Sequence, residues 1–154
     1  MGEWGLSQGN PYYEVQRLTM NRIHNSNNPY QNPDKFKRAL CLCSAGLLRS
    51  PTLAFLLMTK YSRNCRAAGV EDSFALVVAD DVLLSWADEV WCVSDAVKNR
   101  LWQLAEQNKW ENILANKKII TMDIPDCYGY MEDELIRQIT IRLEQLMPAI
   151  NQTA

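Results

Sequence analysis

Histidine is nearly absent from this chain: His24 is the one histidine among 154 residues, set in the Asn-rich stretch HNSNNPYQNPD at 24–34. A metal site built on imidazoles is thereby excluded. One built on thiolates would need cysteines paired across the usual gap of about two to four residues, and Cys41-Leu-Cys43 is too tight for that. No metal and no cofactor are expected. Runs of Lys and Arg are lacking as well. With a formal net charge of −2, the chain has no electrostatic footprint for long nucleic acid, and any phosphate it handles is bound locally. Long apolar runs are also missing. LAFLLM at 53–58 falls far short of the roughly 20 residues that cross a bilayer, so no membrane span is expected. The opening MGEWGLSQGNPYYEV lacks the apolar segment of an export signal. Cysteines at 41, 43, 65, 92 and 127 form an odd set, and a reducing cytoplasm is the expected compartment. No internal repeat is visible.

What is present is enough apolar material, 47% of the residues, for one ordinary core. Residues 1–38 differ in texture, with Pro11, Pro29 and Pro33 among asparagines, and read as an N-terminal arm that carries one short helix over 12–23. An α/β domain is expected over 39–150, followed by a tail at 151–154. ALCLC at 39–43 is a continuous apolar run of the kind buried on both faces of a sheet. SPTLAFLLMTKYSR at 50–63 reads as a helix capped by Ser50, with Pro51 at its first position. CRAAGV at 65–70 is a second strand, and 82–94 holds a helix ending at Trp86 and then a strand over 89–93. A helix capped by Ser94 and Asp95 occupies 94–110, KKIITMDIP at 117–125 is another strand, and 131–147 carries Leu135, Ile136, Ile139, Leu143 and Leu146 on one helical stripe. Strands alternating with helices predict an open parallel sheet of about four strands with helices on both faces, a three-layer α/β fold. In such sheets, sites form at the carboxyl ends of strands, which puts Cys43 and the loop after Asp123 on one edge.

The chemistry concentrates at Cys43. Cys43, five residues, Arg49 and Ser50 is a spacing that lets one short loop wrap a tetrahedral dianion, with backbone N–H groups from Ser44, Ala45, Gly46, Leu47, Leu48, Arg49 and Ser50 converging on its oxygens. Arg49 adds a bidentate guanidinium contact. The N-terminus of the following helix directs its partial positive charge at the same point, and that field favours the thiolate form of a cysteine placed there. By composition, an arginine six positions after one of five cysteines arises by chance about one time in four, and a following Ser or Thr lowers that to a few per cent. The competing reading makes Cys43 a small buried hydrophobe and Arg49 a surface residue.

CLCSAGLLRSPTLAFLL at 41–57 resembles the nucleophile loop and first helix of the low-molecular-weight protein tyrosine phosphatases. DIPDCYGY at 123–130 resembles that family's aspartate loop, and weaker similarity runs through RAAGV at 66–70 and SWADEVWCVS at 85–94. The resemblance, strongest to the family's short, predicted-phosphatase branch, covers about residues 38–147. It implies a metal-independent phosphomonoesterase in which Cys43 is the nucleophile that becomes a phosphocysteine and Arg49 clamps the phosphate. Ser50 would ease the departure of sulfur, and Asp126 would act as general acid and then base, with Asp123 as runner-up. Such an acid is needed on chemical grounds too, because expelling an unprotonated oxygen is slow. The partner is then a phosphotyrosine protein or a small phosphomonoester. Departures from the family pattern are Ala45 and Gly46 where Gly and Asn are usual, Leu48 in place of the second loop cysteine, and Cys127 in place of a proline. The stretch between Gly69 and Ser85 is short, so the substrate-contacting segment there is expected to be reduced or absent. Tyr128 and Tyr130 are candidate walls for a phosphotyrosine ring, Cys41 and Cys127 read as buried inert thiols, and Trp86, Trp91, Trp102 and Trp110 as packing residues.

Two other functions use the same residues. An arsenate reductase would relay a disulfide from Cys43 through Cys127 or Cys65, whereas a catalytically silent module would bind phosphate without turning it over.

Overall fold

The computed structural model describes residues 36–46 and 48–152. Residues 1–35, with the helix expected at 12–23, Leu47 and the last two residues lie outside the described residues, and Arg38, read as the end of the arm, instead opens the first strand. The element order is β1 (Arg38–Cys43), α1 (Arg49–Tyr61), β2 (Asn64–Gly69), α2 (Asp81–Trp86), β3 (Glu89–Cys92), α3 (Asp95–Asn108), α4 (Glu111–Ala115), β4 (Lys118–Thr121) and α5 (Asp133–Gln152). The four strands form one parallel sheet in the order β2-β1-β3-β4, as the alternating pattern predicts. Right-handed crossovers fix the layers. The chain moves from β1 to β2 in one direction and then back across β1 to β3, so α1 covers one face and α2 the other. On the first face α1 packs against α5, and on the second α4 packs against both α2 and α3.

The continuous apolar run of β1 follows from its central place. Ala39, Leu40, Cys41 and Leu42 are inaccessible to solvent, because one sheet face meets α1 and the other meets the second helical layer. Trp91 is fully buried, and Trp86, Trp102 and Trp110 pack partly exposed against the core. Ser94 caps α3 by accepting a bond from the Val97 N–H, as expected. Ser50 does not cap α1. The cap position belongs to Leu48, with no side-chain bond, and Ser50 is a buried residue inside the first turn. Pro51 is accordingly third in the helix, still among the first four residues whose N–H groups have no intrahelical partner.

Two boundaries and one short helix differ from the sequence pattern. The expected strand over 117–125 is laddered only through Thr121, because Asp123 takes a left-handed backbone conformation with φ of 60°. Its pairing survives as single bonds, from Met122 N to Cys92 O and from Ile124 N to Val93 O. The last helix continues past 147 and through Pro148 to Gln152, holding Met147 and Ile150 on the buried stripe with Leu135, Ile139 and Leu143. The short helix α4 was not evident from apolar spacing. No helix among the described residues is long and apolar enough to cross a membrane.

Candidate active site

Cys43 ends β1 beside the point where the chain first reversed its direction across the sheet, the place where open α/β sheets hold ligands. Its side chain is 3% exposed. Its sulfur accepts from the Gly46 N–H at 3.1 Å and shares a hydrogen bond of 3.1 Å with the Ser50 hydroxyl, in which either group can supply the proton. Ser50 Oγ also lies 3.5 Å from the Ala68 carbonyl. The serine that patterns as a cap is thus spent on the thiol.

The loop is held from below by β2 and the segment that leaves it. Val70 N donates to Cys43 O, Glu71 N to Ser44 O and Leu76 N to Ala45 O, at 3.0, 3.0 and 3.3 Å. Two glycines permit the approach. Gly46 has φ of +78°, and a Cβ there would lie 2.9 Å from Ala68 C and Gly69 N. A Cβ on Gly69 would lie 2.5 Å from Ser44 O. The segment 70–79, short as it is, brackets the loop.

Arg49 is 4% exposed, which excludes the surface-residue reading. Its Nη1 donates to Ile124 O at 2.9 Å and its Nε lies 3.4 Å from Asp126 Oδ1. A guanidinium has five N–H donors, so these contacts join the arginine to the aspartate loop and still leave donors in the fork. The far end of that loop is tied to α1 by Thr52, whose hydroxyl donates to Leu48 O and accepts from Met131 N.

The resulting pocket has a volume of about 340 Å³ and is lined by Cys43, Ser44, Ala45, Leu48, Arg49, Glu71, Phe74 and Asp126. Asp126 is among the lining residues and 64% exposed on its side chain, whereas Asp123 is not among them. Tyr128 and Tyr130 do not line the pocket either. Tyr130 is almost fully buried and Tyr128 packs partly against the core, and the aromatic residue among the pocket's lining is Phe74, which is 61% exposed. Glu71 and Phe74 escaped the sequence reading. The signal was their place after the second strand, which leads to the same edge as Cys43.

The remaining cysteines separate by environment. Burial, then the neighbouring Cys65, pushes the Cys41 thiol well up, and burial pushes Cys92 up to about 12. Both are protonated core residues at neutral pH. Cys127 is exposed, contrary to the buried position expected of it, because the turn that carries Asp126 projects from the sheet edge. Among the described residues, no three His, Cys, Asp or Glu side chains are grouped to hold a metal ion.

A parallel four-stranded sheet with this order, flanked by helices, is an α/β fold of the kind seen in the low-molecular-weight phosphatases. The particular solved structure that it resembles is Wzb of Vibrio vulnificus, in complex with benzylphosphonate, at 16% identity and a TM-score of 0.53 over 76% of this chain and 99% of that one. Wzb is a low-molecular-weight protein tyrosine phosphatase. No family model and no curated protein sequence matches the chain.

Proposed function

We propose that the protein is a cysteine-dependent phosphomonoesterase acting on phosphotyrosine or a related aryl phosphate. The observation that carries this reading is the setting of Cys43 Sγ, which accepts from the Gly46 N–H and is hydrogen-bonded to the Ser50 hydroxyl, in a pocket also lined by Arg49 and Asp126. A structural cysteine has no need of a loop N–H aimed at its sulfur. A thiolate nucleophile does, because donors to the charged form favour it.

In the first step the Cys43 thiolate attacks phosphorus. An S–P bond forms, the P–O bond to the leaving group breaks, and the Asp126 carboxyl gives its proton to the departing oxygen. In the second, Asp126 as carboxylate takes a proton from water, the water oxygen bonds to phosphorus, and the S–P bond breaks. Ser50 donates to the sulfur as its charge returns, and inorganic phosphate leaves. Arg49 and the loop N–H groups hold the three equatorial oxygens throughout, which is positioning and charge stabilisation rather than covalent chemistry. Phe74 offers a face to an aromatic leaving group, and the benzylphosphonate held by Wzb has that combination of ring and tetrahedral anion.

An arsenate-reductase relay through Cys65 is disfavoured, since that thiol is inaccessible inside β2. Hydrolysis of p-nitrophenyl phosphate by reduced wild type, Cys43→Ser and Asp126→Asn tests the reading. Cys43→Ser should lose at least about a thousandfold in kcat, as removal of a nucleophile does. Asp126→Asn should lose about 10²- to 10⁴-fold on phosphotyrosine and less on p-nitrophenyl phosphate, whose leaving group needs less protonation. Binding of vanadate without any turnover by wild type would replace the enzyme with a phosphate-binding module.

A further inference from the structure

The pocket is lined on its outer side by a carboxylate that the reaction above does not use. Glu71 is anchored by its own N–H to Ser44 O of the phosphate loop at 3.0 Å, yet its side chain stays about a third exposed. Its counter-ion is shared. Arg100 Nε lies 3.5 Å from Glu71 Oε1 while Arg100 Nη2 lies 3.3 Å from Asp72 Oδ1, so one cation serves two carboxylates. The whole run 71–81, EDSFALVVADD, contains no Lys or Arg. Among the described residues that line the pocket, Arg49 is the single cation. Beside Glu71 stand Phe74 and Leu76, both large, apolar and mostly exposed.

A phosphate dianion is drawn in by Arg49 and the loop, but whatever surrounds that phosphate meets negative charge and apolar surface. We propose that Glu71 is a specificity-determining residue that selects phosphotyrosine peptides carrying Lys or Arg beside the phosphotyrosine, an inference that rests on the phosphatase reading above. The ring lies against Phe74, and the flanking cation takes the share of Glu71 that Arg100 leaves unmatched. Acidic flanks are repelled by the same carboxylate. At about 6 Å through water, one unit charge pair changes an equilibrium about threefold, so Lys-flanked and Glu-flanked peptides should differ about tenfold in kcat/KM at low salt, and less as salt rises.

The test is phosphate release from three phosphotyrosine peptides identical except for a Lys, Ser or Glu neighbour, with p-nitrophenyl phosphate in parallel, using wild type, Glu71→Gln and Glu71→Lys. Wild type should favour the Lys peptide over the Glu peptide by about tenfold, Glu71→Gln should reduce that ratio to about threefold or less, and Glu71→Lys should invert it. A merely structural Glu71 would lower all substrates alike and leave the ratio unmoved. A wild-type ratio near one, or one unchanged in Glu71→Gln, overturns the proposal. Absence of p-nitrophenyl phosphate turnover sinks the phosphatase reading on its own. The same ratio is then read as binding, by fluorescence anisotropy of the three labelled peptides on Cys43→Ser, and the same outcomes decide it.

Discussion

Replacing Gly46 by alanine should disable both the loop and the domain's stability, and the structure gives the size of the effect. At φ of +78° an L-residue lies in the left-handed region, which costs roughly 1–2 kcal/mol without glycine. The added Cβ would also stand 2.9 Å from Ala68 C and Gly69 N and 3.2 Å from Ala68 Cα. These are backbone atoms of β2, held in register against β1 by the ladder pairs Leu42↔Ala68 and Cys43↔Gly69, so they cannot swing aside as a side chain would. Overpacking against such a wall costs about 1–3 kcal/mol more, for a total of about 2–5 kcal/mol. Urea unfolding followed by tryptophan fluorescence measures it, since Trp91 is fully buried. Gly46→Asn separates the two contributions: asparagine tolerates the left-handed region but brings the same Cβ, so it should remain well below wild type. Gly129→Ala is the internal control, because a Cβ there meets nothing within 4 Å, and it should fall within about 0.5 kcal/mol of wild type. If Gly46→Ala unfolds within about 1 kcal/mol of wild type and still binds vanadate equally well, the close approach of loop and strand has been misjudged.

Two further predictions concern the opposite edge of the sheet. Glu89, at the start of β3, accepts from Arg63 Nε and Nη2 and from Trp91 Nε1, all among buried side chains, so Glu89→Ala should lower stability by about 3–5 kcal/mol, because it removes the carboxylate of a buried ion pair and the acceptor of a buried indole N–H. A loss below about 1 kcal/mol in urea melts would mean that this pair is not the fastening it looks like. Burial alone would raise the Asp88 carboxyl, but bonds from the Arg38 backbone N–H and guanidinium, with Lys37 nearby, outweigh it and hold Asp88 below its usual value. A depressed folded value means that the stabilisation is present above the unfolded value of about 3.9 and fades as pH falls through the folded one. The stability gap between wild type and Asp88→Asn should therefore be flat from about pH 5 to 7 and close below about pH 4, and a gap that persists into strong acid would refute the assignment.

Much of this architecture is legible in one dimension because the strongest signals are local. The run Ala39–Cys43 reads as a doubly covered strand, and it is one. The capping serine of α3 and the apolar stripe of α5 are equally direct. Ser50 misleads as a cap because a serine before a proline at a helix start has two uses, and the use that the resemblance implied, a hydroxyl facing Cys43 Sγ, is the one the structure shows. Cys127 and Tyr130 mislead for a related reason. In an irregular loop, side-chain direction has no period, so hydrophobic character alone assigns the exposed thiol inward and the buried tyrosine toward a ligand.

Glu71 and Phe74 show a different limit. Nothing in EDSFALVVADD announces a site, since no residue in it is a nucleophile or a phosphate clamp. Its role follows from topology. A parallel strand next to β1 delivers its outgoing segment to the edge where Cys43 sits, and three backbone bonds to Cys43, Ser44 and Ala45 then fasten that segment to the loop. The loop's geometry is written in its own residues, but the charge and shape beside it in the pocket come from a segment that places Glu71 there, 28 residues downstream of Cys43. Specificity in such a sheet can therefore change by substitutions in 71–76 that leave every residue of the phosphate loop in place, which is why the Glu71 variants and the Cys43 variants report on separable properties of one pocket.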